Sequence, residues 1–183
     1  MRVITGSARG AKLEAPAGQN TRPTSDMAKE AIFSIIQFEL EQAMVLDLFA
    51  GSGQLGIEAL SRGAKFCVFV DSDRQAQEVI RKNLAATKLA PQSRVAAMEA
   101  GAYIVTCKDT FDIAFLDPPY QKQILENILP LVAARMNSGG AIICETDKME
   151  KLPQQAGEFS IYREYRYGKA KITVYRKQTI EGE

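Results

Sequence analysis

The sequence predicts an α/β fold in which a mostly parallel sheet is covered by helices on both faces and extended at one edge by an antiparallel hairpin. Three observations predict it. Short, almost wholly apolar runs such as Phe66–Val70 and Phe111–Leu116 alternate with longer stretches of helical period, the pattern of strands buried on both faces. The first apolar run leads into a glycine-rich loop that opens a helix. The end of the chain then changes character. Phe159–Tyr167 and Ala170–Lys177 are aromatic and β-branched runs that alternate with charge around Gly168-Lys169, which reads as a hairpin.

Taken in order, residues 1–24 are rich in Gly, Pro and Arg, with Val3-Ile4 and Leu13 suited to the short strands of a hairpin. Thr24-Ser25-Asp26 offers helix caps, and Ala28, Ile32, Ile35, Ile36 and Leu40 follow at helical spacing, so residues 26–40 are predicted to form an amphipathic helix. Residues 44–49 read as a strand, 54–62 as a helix stopped by Gly63, and 66–70 as a second strand. A helix over 73–88, a strand over 94–97, a helix over 100–107 and a strand over 111–116 come next. Residues 121–136 are predicted to be helical and kinked or split at Pro130. Asn137-Ser138-Gly139-Gly140 reads as a turn before a fifth strand over 141–145.

The 183 residues suit one domain, 1–183, read as an N-terminal extension over 1–25 and a core over 26–183. Apolar residues make up 46% and charged residues 25%, the balance of an ordinary globular protein. No run approaches the roughly 18 apolar residues of a membrane helix, and residues 1–12 lack the apolar stretch of a signal peptide. A cytoplasmic location is expected. Cys67, Cys107 and Cys144 fit no zinc spacing, and the chain has no histidine, so buried thiols and no metal are expected. Without histidine, any chemistry proceeds without an imidazole base. Both ends of the chain carry surplus Lys and Arg and the middle is acidic, a distribution compatible with phosphate binding.

Gly51, Gly53 and Gly56 have the G-x-G-x-x-G spacing, placed between a strand and a helix. Glycines there allow a tight turn and close approach of a ligand to the backbone of Phe49, Ala50, Gly51, Ser52 and Gly53. Asp71 ends the next strand, ahead of Ser72, where a carboxylate accepts hydrogen bonds from both ribose hydroxyls of an adenosine. Glu99 and Ala100 follow the third strand, where an acid can reach an adenine amino group. These features call for a nucleoside cofactor. A nicotinamide dinucleotide would put its pyrophosphate on the helix N-terminus. The Asp47-x-Phe49-x-Gly51 lead-in instead resembles the first motif of class I methyltransferases, which implies S-adenosylmethionine, with Asp47 helping to orient its amino-acid part.

Asp117-Pro118-Pro119-Tyr120 ends the fourth strand, at the carboxyl edge where open α/β sheets bind ligands. An exocyclic amine on a base is a poor nucleophile because its lone pair is delocalised into the ring. The Asp117 carboxylate and the Pro118 carbonyl supply two acceptors that hold its hydrogens and turn the lone pair outward. Two prolines stiffen the loop, and Tyr120 offers a stacking face worth roughly 1–3 kcal/mol.

Together these residues resemble the amino-methyltransferases, whose signature is [D/N/S]-P-P-[Y/F/W]. The segments Arg2-Val3-Ile4-Thr5-Gly6, Thr21-Arg22-Pro23-Thr24-Ser25-Asp26 and Leu46-Asp47-Leu48-Phe49-Ala50-Gly51-Ser52-Gly53 narrow the resemblance to the RsmD family. So does Glu58-Ala59-Leu60-Ser61-Arg62-Gly63-Ala64. The resemblance runs from residue 2 to about 176. It implies a Rossmann-like class I methyltransferase fold with a seven-stranded sheet and S-adenosylmethionine as cofactor. It also implies transfer to the guanine N2 amino group of small-subunit rRNA, presented in a ribosomal assembly intermediate. Asp117 and Tyr120 are implied at the acceptor site, and the region of Arg9, Arg22 and Thr24 is implied to reach over it toward RNA. Asp71 stands where members often carry Glu, and Glu99 where Asp or Asn is common.

Other readings stand beside this one. An amino-methyltransferase of DNA or of protein glutamine shares the tetrad. DNA enzymes usually add a target-recognition domain, and protein-glutamine enzymes typically begin the tetrad with Asn. A nicotinamide oxidoreductase would leave Asp-Pro-Pro-Tyr unexplained, and a non-catalytic RNA-binding protein would be indifferent to Asp117→Ala.

Overall fold

The computed structural model describes residues 1–18, 24–119 and 123–178. Eight strands form one sheet: β1 (Met44–Asp47), β2 (Phe66–Val70), β3 (Ser93–Ala96), β4 (Phe111–Leu116), β5 (Met136–Asp147), β6 (Gln155–Ala156), β7 (Phe159–Tyr167) and β8 (Ala170–Lys177). Five helices accompany them: α1 (Asp26–Ile35), α2 (Gln54–Ser61), α3 (Arg74–Ala86), α4 (Ala100–Thr106) and α5 (Ile124–Ala133). The order across the sheet is β3-β2-β1-β4-β5-β8-β7-β6. The first five strands are parallel, and β8 joins β5 antiparallel. The eighth strand, against the seven implied by the resemblance, is the two-residue β6 on the outer edge.

Alternation along the strands sends side chains to two cores. Val45, Cys67, Phe69, Ile113 and Phe115 pack with Ile32 and Phe33 of α1, Ile57 of α2 and Ile80 of α3. Leu46, Val68, Val70, Ala114 and Leu116 pack on the other face with Ile104 of α4 and Leu129 of α5. All three cysteines are free and buried, as their apolar surroundings predict. Gly56 lets α2 lie close on β2, because a Cβ there would sit 2.3 Å from the Phe69 ring.

Several elements differ from the sequence expectation. α1 stops at Ile35, and Ile36–Glu39 form a turn in which Glu39 N–H donates to the Ile36 carbonyl at 2.9 Å. Ile36 and Leu40 are still buried, so apolar spacing alone looks the same for a continued helix. α5 runs unbroken through Pro130, whose side is solvent-exposed. Asn137–Gly140 do not reverse the chain but form an irregularity inside β5. Pairing jumps from Phe111↔Met136 to Ile113↔Ala141. Asp112 holds this bulge, accepting from Asn137 Nδ2 and from the Met44 N–H, each at 2.8 Å.

The N-terminal segment is fastened to the core. Arg2 bridges Lys12 antiparallel, and Val3 and Leu13 join the α1–α2 core cluster. The fully buried Glu58 of α2 accepts the Ile4 and Thr5 N–H groups at 2.8 and 3.0 Å. It also faces Arg62 at 2.9 Å and the buried Lys29 at 3.6 Å. Lys29 in turn donates to the Arg2 carbonyl at 2.6 Å. Burial pushes the Lys29 ammonium below its ordinary pKa, and Glu58 draws it back up. Removing one partner of such a pair strands the other. Glu58→Gln is therefore expected to lower the unfolding free energy by about 3–5 kcal/mol in urea denaturation, and Lys29→Met by less, because Arg62 still faces the carboxylate.

Candidate active site

The loop after β1 is shaped by two carboxylates. Asp47 is buried and its Oδ2 accepts the Gly56 N–H at 3.0 Å, closing the first turn of α2. Asp71 Oδ2 accepts the Gly51 N–H at 2.9 Å, and its Oδ1 accepts the Asp73 N–H at 2.9 Å. Asp73, not Asp71, caps α3. Each carboxylate oxygen has a second lone pair, so half-buried Asp71 keeps acceptor capacity toward the crevice. Gly51 has φ +57°, and a Cβ there would enter open space with nothing within 4 Å. That backbone is open to the approach of a ligand.

The other expected cofactor contacts divide. Phe49 is half-buried against the α4–α5 core, Ala50 and Ala100 are buried, and Ser72 is exposed beside Asp71. The Ser52 hydroxyl lies 3.6 Å from Met1 Sδ. Its carbonyl accepts Asn83 Nδ2 at 2.9 Å, and Asn83 also binds both backbone groups of Glu14. Glu99 is exposed and caps α4, accepting the Ala102 N–H at 3.2 Å.

β4 delivers Asp117 beside this loop, because Asp47 pairs with Phe115 in the β1–β4 register. Pro118 is half-buried and Pro119 exposed at the edge; Tyr120 lies outside the described residues. Leu116 pairs with Cys144, so the next residues, Asp117 and Glu145, are neighbours. The Thr24 hydroxyl bridges them, 2.9 Å from Glu145 Oε2 and 3.4 Å from Asp117 Oδ2. Burial, then the charges of Glu145 and Asp47, hold the Asp117 carboxyl well above its ordinary pKa, and the Thr24 bond opposes this.

The expected RNA contacts are redistributed. Thr24 is only 4% exposed and serves the two carboxylates rather than the surface. Arg22 lies outside the described residues. Arg9 is exposed, but its neighbours Ser7 and Ala8 are tied to Ser61 at the C-terminal end of α2, away from the glycine loop. In the hairpin Arg163, Arg166 and Lys169 are exposed, and the other cations meet acids. Arg176 is bound to Glu39, Lys177 to Glu158, and Lys171 is buried beside Glu164. Glu145 was not singled out by sequence. Its signal is the one that marks Asp71, an acid closing an apolar strand at the carboxyl edge of the sheet.

A β3-β2-β1-β4-β5 sheet followed by an antiparallel hairpin, with the acid Asp71 after β2 and Asp-Pro-Pro after β4, makes this a class I methyltransferase fold. The open face of Gly51 beside Asp71 leaves room there for a cofactor. A family model described as conserved hypothetical protein 95 matches residues 1–176. The chain belongs to that family, the RsmD family. It is 40% identical to "Putative rRNA methyltransferase YlbH" of Bacillus subtilis, over 97% of this chain and 100% of the relative. It is 32% identical to "Ribosomal RNA small subunit methyltransferase D" of Escherichia coli, over 97% and 90%. The solved structure of "Putative methyltransferase yhhF from Escherichia coli" superposes with a TM-score of 0.85 at 31% identity, covering 98% of each chain.

Asp47 sets a pH dependence. Burial, offset by the Gly56 N–H and reinforced by Asp71, pushes its carboxyl up to about 7 from an ordinary 3.8. The folded chain holds a proton that the unfolded chain has released, so this group costs stability as pH rises from 3.8 to about 7. A cationic ligand favours the ionised form. Calorimetric titration with S-adenosylmethionine is therefore expected to show affinity rising by up to about tenfold per pH unit from 6 to 7 and levelling above. Asp47→Asn should flatten that rise.

Proposed function

We propose that this chain transfers a methyl group from S-adenosylmethionine to the exocyclic N2 amino group of a guanine in small-subunit rRNA. The observation that carries the reading is the juxtaposition of Asp117-Pro118-Pro119 with the glycine loop across the β1–β4 pair. The rRNA acceptor is supported by the relatives, one of which is named "Ribosomal RNA small subunit methyltransferase D".

S-adenosylmethionine, when bound, supplies an electrophilic methyl group on a sulfonium. The chain's own residues position the acceptor against it. Asp71 would receive the ribose hydroxyls, and the backbone of Gly51 and Gly53 would hold the cofactor. Asp117 Oδ and the Pro118 carbonyl take the two amino hydrogens and draw the nitrogen out of conjugation. Pro118 and Pro119 hold those acceptors in place before the base arrives. Tyr120, next along the chain, has the aromatic face on which a splayed base stacks. Once the nitrogen is methylated it is acidic, and Asp117, whose carboxyl is held above its ordinary pKa, accepts the departing proton. A chain without histidine needs no other base. The rRNA is presented in an assembly intermediate, where ribosomal proteins supply contacts that a chain of net charge +1 does not.

The test uses small-subunit particles and naked rRNA from cells lacking this gene, with purified protein and radiolabelled S-adenosylmethionine. Label is expected in N2-methylguanosine after digestion of the RNA, with more from particles than from naked rRNA. Label in another nucleoside, or only in DNA or protein acceptors offered in parallel, would contradict the reading.

A further inference from the structure

We propose that Asn83 of α3 is a positioning residue of the cofactor loop and that, through it, S-adenosylmethionine binding tightens the N-terminal segment. The proposal rests on one part of the reading above, that the cofactor lies on the glycine loop.

Asn83 is an unusual choice for its place in the helix. It is 2% exposed and shares the core side of α3 with Ala76, Ile80 and Leu84. An apolar side chain would pack there, and Asn is a poor helix former. Its side-chain amide is bound instead to backbone from two distant parts of the chain. Nδ2 donates both hydrogens, to the Ser52 carbonyl at 2.9 Å and to the Glu14 carbonyl at 3.0 Å. Oδ1 accepts the Glu14 N–H at 2.8 Å. Burial makes each of these bonds costly to lose.

The Ser52 carbonyl shares a planar peptide unit with the Gly53 N–H, which donates to the Ala50 carbonyl at 2.7 Å. Asn83 and Ala50 therefore hold that unit at both ends, and Asp71 Oδ2 holds the Gly51 N–H at 2.9 Å. Gly51 and Gly53 stand at φ +57° and +79°, in a loop whose glycines permit many other conformations. The side-chain holds keep it in one of them before a cofactor arrives.

The same amide grips the N-terminal segment. Glu14 is bound through both of its backbone groups, as a neighbouring strand would bind it. Leu13 beside it is buried, and its N–H donates to the Met1 carbonyl at 2.9 Å. Met1 Sδ in turn lies 3.6 Å from the Ser52 hydroxyl. Loop and segment thus meet at Asn83 and again at Met1. A cofactor that orders the loop also orders the Asn83 amide, so the segment opens less often. Linkage makes the effect reciprocal: a substrate that holds the segment down raises cofactor affinity by the same factor.

The test is amide hydrogen exchange followed by NMR on the full chain, with and without S-adenosylmethionine. It compares the wild type with Asn83→Leu, whose side chain is close in volume and has no polar group. The Leu13 N–H is the reporter, because the substitution leaves its own bond to Met1 in place. In the wild type, cofactor is expected to slow Leu13 exchange by about fivefold or more. Exchange at Ile161 on β7, whose N–H donates to the Gln154 carbonyl, should change by less than about twofold, which separates a local linkage from general stabilisation. In Asn83→Leu the Leu13 response is expected to vanish and the Kd for S-adenosylmethionine to rise about fivefold or more. A wild type in which cofactor slows Gly51 and Gly53 but leaves Leu13 unchanged overturns the proposal without any variant. So does an Asn83→Leu protein with wild-type affinity and an intact Leu13 response. Cofactor that binds yet leaves Gly51 and Gly53 unchanged would instead remove the glycine loop as its seat, and this proposal with it.

Discussion

The Leu48 N–H donates to the Phe115 carbonyl at 3.1 Å at the end of the β1–β4 ladder, and the site follows from that pairing. Strand order reverses direction at β1 and β4, so the loops after them open onto one crevice. The β1 loop brings bare glycine backbone, and the β4 loop brings an acid stiffened by two prolines. Parallel register keeps both at the same height. The glycine loop and Asp117 therefore adjoin across the β1–β4 pair.

A second constraint arrives from outside the sheet. Residues 1–14 are bound to α2 through Glu58 and Ser61 and to α3 through Asn83. Thr24, next to the Ser25 cap of α1, places its hydroxyl on Asp117 and Glu145. The N-terminal segment is thus tied to α2 and α3, and Thr24 to the two acids at the sheet edge. A buried carboxylate that gathers two backbone N–H groups, Arg62 and Lys29 is costly to desolvate and costly to break. It ties chain segments far apart in sequence into one arrangement.

What the sequence disclosed and what it hid divide along local and long-range physics. β2, β4, β7 and β8 have the bounds that their apolar or alternating runs predict, because a strand buried on both faces leaves a continuous signature. Gly51, Asp71 and Asp117 were legible because spacing after a strand determines where a residue emerges at the sheet edge. Asn137–Gly140 misled because Asn, Ser and Gly announce irregular backbone without saying whether the chain turns or bulges. Asp112 decides that from another strand. The internal partners of Ser52 and Thr24 were hidden in the same way: Met1 and Asn83 meet the one and Glu145 the other. Glu145 went unnoticed because its neighbours Asp117 and Thr24 are distant in the chain.

The central claim is that Asp117 acts on the acceptor amine and not on the cofactor. The direct measurement is single-turnover methyl transfer by Asp117→Ala on its RNA substrate, beside calorimetric titration of the same protein with S-adenosylmethionine. Cofactor affinity should stay within about threefold of wild type while transfer slows by about 10²–10³-fold. Transfer at the wild-type rate would reduce Asp-Pro-Pro to a structural turn and contradict the account.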